Sequence, residues 1–112
     1  MFLSPKFELG MIAYKSGNNR DTIYYLSPIA ERIPFYADVQ LIIGNINFNS
    51  RNYTSAIGNY TSVLEYGFAD KETVSNTMIK RGTCYYHTGD YENAEKDIST
   101  ALESIKKSSE PL

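Results

Sequence analysis

The residues of this chain best equipped for chemistry lie close together. Cys84 and His87 are three positions apart in "GTCYYH", which makes them neighbours on one face if the segment is helical. A thiol beside an imidazole is the minimum of a nucleophile activated by a base. The sequence holds one cysteine and one histidine, however, and no residue recognisable as the third group that orients the base. A structural zinc site wants about four ligands, mainly cysteine and histidine, so metal ligation is not expected either. "SGNN" and "HTGDY" contain glycine but read as turns between helices, not as phosphate-cradling loops. The expectation is therefore a chain with no catalytic residue, no metal and no cofactor, in which Cys84 is a small core residue. "NYT" at Asn52 and Asn59 matches the glycosylation acceptor pattern, but both are expected within a helix and are read as chance.

The elements that would position these residues are bounded by composition. With 112 residues the chain has room for one domain and one core. Its 11 basic and 13 acidic residues are interspersed and sum to a net charge of -2, which offers no footprint for nucleic acid or an anionic membrane. One cysteine forms no intrachain disulfide, so a reducing compartment is the default. The opening "MFLSPKFELG" lacks a basic region followed by an apolar run, and no segment approaches the ~18 consecutive apolar residues of a transmembrane helix. A cytoplasmic location is expected.

The chain repeats itself. Gly10, Gly44 and Gly82 each stand in an apolar segment, and twelve residues beyond them come Thr22, Ala56 and Ala94, all small. Five residues before each of those lies a turn, around Gly17, Arg51 and Gly89. Each unit thus reads as a helix, a tight turn and a second helix. The glycines are spaced by 34 and then by 38 residues. The four extra residues fall in "GFADKETV", where Gly67 ends one helix and Asp70 caps the next. Four residues are about one helical turn, so the third unit's first helix should be longer with its face unrotated.

These motifs resemble the tetratricopeptide repeat (TPR) family. Its pattern of a large residue, Leu-Gly, Tyr, then Ala, an aromatic and a late Pro falls in the third unit on Met78, Arg81, Gly82, Tyr85, Ala94, Ile98 and Ala101. In the second it falls on Gln40, Ile43, Gly44, Asn47, Ala56 and Tyr60, and in the first on Lys6, Leu9, Gly10, Ala13, Thr22, Leu26 and Pro34. The first unit matches least well, and Pro28 is expected to kink or shorten its second helix. The resemblance covers Leu3 to Ser108 and implies an all-α, right-handed superhelical solenoid of three antiparallel helix pairs. The repeats would span about 3–36, 37–70 and 75–108, with a tail at 109–112. Glycine and alanine at Gly82, Ala94 and Ala101 are expected where helix axes approach within about 8 to 10 Å.

Family members bind partners in a concave groove lined by the first helix of each repeat. Carried onto this chain, the groove is Phe7, Met11 and Tyr14; Leu41, Asn45 and Phe48; and Ile79, Thr83 and Tyr86, edged by Asn49, Asn76, Lys80 and His87. The five places that grip a carboxylate tail in chaperone-binding members fall on Phe7, Met11, Ile42, Asn76 and Lys80. Three of these are apolar, and a charge-assisted grip needs several converging donors, so that ligand is not expected. The resemblance implies instead a non-catalytic protein-interaction module that holds an apolar or aromatic peptide of unspecified identity. In groove character it is similar to the TPR chaperones of bacterial type III secretion. The apolar stripe is either covered by neighbouring repeats or open to a partner; Phe48 and Tyr86, at the turn-side ends of their helices, are expected to stand open as anchors. A fourth unit would begin near Ser109, and "SSEPL" resembles "LSPKF" at the start of the first. A piece of a longer solenoid, or self-association through uncapped repeat ends, is a further implication.

Overall fold

Three turns of one design set the architecture. In a computed structural model that describes residues 5–33, 36–67 and 70–109, Gly17, Arg51 and Gly89 adopt φ of 77°, 64° and 88°. Each donates its N–H three residues back, to Tyr14, Phe48 and Tyr86, at 3.1 Å. The next residue, Asn18, Asn52 or Asp90, donates five residues back, to Ala13, Asn47 or Tyr85, at 2.8 to 2.9 Å. This is the Schellman ending of a helix, which requires one residue in the left-handed region. Glycine meets that demand without a Cβ penalty, whereas Arg51 meets it against its own side chain.

The turns join six helices into three pairs: α1 (Pro5–Lys15) with α2 (Asn19–Arg32), α3 (Ala37–Asn49) with α4 (Tyr53–Tyr66), and α5 (Lys71–His87) with α6 (Tyr91–Ser109). Every regular element among the described residues is an α-helix. As expected from the four-residue insertion, α5 has 17 residues and α3 has 13. Asp70 caps α5 by accepting from the Thr73 N–H at 2.7 Å, and Gly67 follows the end of α4. Hydrogen bonds from the Thr73 side chain and backbone hold the Asp70 carboxyl below its ordinary range. Ser4, directly ahead of α1, and Pro34 lie outside the described residues. Asn52 stands at the N-cap position of α4 rather than within it, while Asn59 lies inside that helix.

Within each pair the helices run antiparallel and touch through the small residues. A methyl group added to Gly82 would come within 2.7 Å of Ile98 Cγ1 and 3.2 Å of the Ala94 carbonyl oxygen. At Gly44 it would meet Tyr60 Cε1 at 2.9 Å, and at Gly10 it would overlap Leu26. Ala94 and Ala101 are buried on the opposing helix. The glycine on one helix thus leaves room for Leu26, Tyr60 or Ile98 on the other, so the pair closes where one side carries no side chain.

Between pairs, the first helix of each unit covers the unit before it. Leu26 and Ala30 of α2 pack with Val39 and Ile43 of α3, and Ala56 and Tyr60 of α4 pack with Cys84 of α5. The cores therefore sit at the unit junctions. Extensive helix contacts join only neighbours in chain order, and the α2–α3 junction is thinner than the α4–α5 junction. The radius of gyration, 14.9 Å, exceeds the ~13 Å usual for a compact domain of this size, and the extents of 45 × 36 × 24 Å show the elongation.

Pro28 does not shorten α2, which continues to Arg32. Pro28 and Tyr24, whose carbonyl loses its helical donor, both lie on the exposed side, where water replaces the missing bond.

Candidate functional site

The first helix of each unit carries the expected groove residues, but burial divides them. Phe7 and Met11 are half-buried against the first core cluster, with the Phe7 ring stacked on Tyr36 at 5.6 Å. Leu41 and Phe48 are half-buried against the second cluster. Ile79, Lys80 and Thr83 are also half-buried, whereas Tyr14, Asn49, Asn76, Tyr86 and His87 are exposed. Tyr86 therefore stands open and Phe48 is half-covered, its ring lying among Tyr53 at 6.1 Å, Tyr60 at 6.5 Å and the Lys80 ammonium at 6.0 Å.

The polar rim is likewise partly spent on the fold. Asn45 Oδ1 accepts from the Tyr60 hydroxyl at 2.7 Å and from Lys80 Nζ at 3.1 Å, tying α3 to α4 and α5. Burial pushes the Tyr60 phenol well above its ordinary range, so it remains a donor. The Thr83 hydroxyl donates to the Ile79 carbonyl within its own helix at 2.8 Å. Of the carboxylate-gripping places, Ile42 packs on the first cluster and Lys80 is engaged as described, which leaves Asn76 exposed.

Rings form a chain that the sequence pattern did not predict. From buried Tyr60 it passes through Phe48 and Tyr53 to His87, which stacks on Tyr53 at 4.4 Å and 9°. It continues edge-on from His87 to Tyr86 at 5.7 Å and ends at Tyr91, 5.4 Å farther. Tyr86 and Tyr91 are 60% and 64% exposed, so a supported aromatic surface emerges at the turn-side end of the third unit. The signal for it was the recurrence of aromatics on both sides of the turns in units two and three.

Cys84 is fully buried in the α4–α5 junction, and burial pushes its thiol up to about 11. A nucleophilic cysteine needs the opposite shift, so the thiol has the surroundings of a packing residue. His87 is turned to the Tyr53 ring. Among the described residues no three His, Cys, Asp or Glu side chains gather, and no helix is long and apolar enough to cross a membrane.

Two polar networks were missed because charged and amide residues in helices read as solvated faces. Arg81 grips Asp97 through two bonds of 2.7 and 2.8 Å and reaches Thr61 at 3.2 Å, which joins α4, α5 and α6. The bonded carboxylate raises the Arg81 pKa, against desolvation. Farther along, Asn47 donates to Asn59, Asn59 to Gln40, and Gln40 to the Ala30 carbonyl, at 2.9, 2.9 and 3.3 Å. This relay runs from α3 to α4, back to α3 and on to α2. No family model matches the chain, and no curated protein does.

Proposed function

We propose that this chain is a non-catalytic protein-interaction module of the tetratricopeptide type, a superhelical array whose first helices present a binding face to an apolar or aromatic peptide. The observation that carries this reading is the ring chain that runs from the Tyr60 core to exposed Tyr86 and Tyr91. Aromatic anchors make effective interface residues because they bury a large area at little conformational cost. Exposed Asn49, Asn76 and His87 supply donors and acceptors for a peptide backbone beside them. Phe7, Met11, Leu41, Phe48, Asn45, Ile79, Lys80 and Thr83 support that face from half-buried positions. The repeated turn geometry and glycine contacts favour the array. A buried lone thiol suits a reducing compartment, and a cytoplasmic location belongs to this proposal.

The test is selection from a random peptide library on the full chain, followed by calorimetric titration of the selected sequence. Enrichment of aromatic or aliphatic anchors is expected, and Tyr86→Ala should weaken the selected peptide by ~1 to 4 kcal/mol with little change in melting temperature. Undiminished binding by Tyr86→Ala, or selection of acidic carboxyl-terminal sequences without apolar anchors, contradicts the assignment.

A further inference from the structure

The two ends of the molecule are complementary in a way its interior explains. Leu26 and Tyr60 occupy one place in the first two units and are fully buried, whereas Ile98, at that place in the third, is half-buried. What covers Tyr60 is α5: Cys84 packs on it, His87 stacks on Tyr53, and Arg81 reaches Thr61. In the same way α3 covers Leu26 with Val39 and Ile43. The third unit has no following helix among the described residues, and there Tyr86, Tyr91, Ala94, Glu95, Ile98 and Ser99 line an open groove of about 420 Å³. Leu102 and Ile105 extend its apolar stripe along α6, 56% and 40% exposed.

The opposite end carries the matching helix. Ile46 and Cys84, in the first helices of the second and third units, are 7% and 0% exposed, but Ile12, at their place in α1, is 62% exposed. Leu9 is 44% exposed where Ile43 is 4% exposed. Lys15 holds the place of His87, and Tyr91 and Glu95 hold the places of Tyr53 and Ile57. A cation on α1 would thus meet a ring and a carboxylate where the interior junction has a stacked imidazole.

We propose that a second copy of this chain seats its α1 in this end groove, head to tail, with Leu9 and Ile12 over Ala94 and Ile98, and Lys15 against Tyr91 and Glu95. The contact continues an interface that the molecule already uses twice within itself. Being heterologous, it leaves one head and one tail free and permits further addition of copies. The groove shares Thr83, Tyr86 and Tyr91 with the proposed peptide face, but Leu9, Ile12 and Ser99, on which its test turns, lie outside that face.

Sedimentation velocity over a concentration series of the full chain tests the proposal, with Ile12→Asp blocking the head and Ser99→Arg blocking the tail. Circular dichroism and thermal unfolding establish that both variants are folded. The weight-average mass of the unaltered chain should rise with concentration, and each variant alone should keep the mass of one chain. Their equimolar mixture should recover a species of twice that mass, since one variant retains its head and the other its tail. A single-chain mass for the unaltered protein at every concentration overturns the proposal. So does association that Ser99→Arg abolishes and Ile12→Asp leaves intact, which would mean pairing tail to tail. Retained binding of a selected peptide by both variants separates failure of the end contact from failure of the peptide face.

Discussion

At the scale of single residues, the small side chains and the strained turn decide most. Ala94 lies on the helix that approaches Gly82, with its carbonyl oxygen 3.2 Å from where a Gly82 methyl would stand. Ala94→Leu should therefore destabilise by ~1 to 3 kcal/mol through overpacking, as read from denaturant unfolding; an unchanged midpoint would deny the close contact. Arg51 offers the converse case. Its positive φ is one that glycine adopts at Gly17 and Gly89, so Arg51→Gly should raise stability by ~0.5 to 1 kcal/mol, the relief of strain outweighing the added chain entropy. A loss on that substitution would mean that the Arg51 side chain makes a compensating contact. Asp97 is 4% exposed and paired in two places with Arg81. Removal of its carboxylate in Asp97→Ala strands a largely buried guanidinium and should cost ~3 to 5 kcal/mol. None of this pair was legible beforehand, since an arginine and an aspartate sixteen positions apart carry no periodic signal. The close approach at the glycines was legible because they recur in three units, although the side chains they meet are Leu26, Tyr60 and Ile98, sixteen residues on, and not the small residues twelve on.

At the scale of elements, the sequence pattern served best where backbone chemistry decides. The insertion before the third unit lengthened α5 by four residues relative to α3, and Asp70 caps it, because a carboxylate ahead of a helical run has a backbone N–H to accept from. The pattern served less well on side-chain exposure. Phe7, Met11, Leu41 and Phe48 fall on the expected stripe, yet neighbouring helices cover half of each, since the tilt between units is not encoded in spacing along one helix. Phe48→Ala should consequently lower the melting temperature well beyond Tyr86→Ala, towards the ~3 to 5 kcal/mol of a buried aromatic. Equal melting temperatures for the two variants would place Phe48 in the open after all. Pro28 was expected to kink or shorten α2 and does not shorten it, because the cost of a helical proline depends on whether its orphaned carbonyl is open to solvent.

At the scale of the whole molecule, extensive contacts join helices that are neighbours in chain order and the core clusters sit at the junctions, so stability is expected to sum over units and junctions. The α2–α3 junction is thinner than α4–α5, and α1 fully buries only Gly10 and Ala13. Native-state hydrogen exchange should therefore find the amides of α1 and α2 opening at lower free energy than those of α4 and α5. Uniform protection across all six helices would mean that the chain unfolds as one cooperative block.

The buried thiol at the α4–α5 junction has a use in measuring that behaviour. Because Cys84 is the sole cysteine and is sealed between Tyr60 and Ala56, an alkylating reagent reaches it only when the third pair swings away from the second. Its labelling rate is a clock for one hinge. With excess reagent the rate reports how often that hinge opens, and with scarce reagent what fraction of the time it is open. The protein thus carries its own probe of the joint on which its ring chain is mounted, and no dye or engineered label is needed to read it.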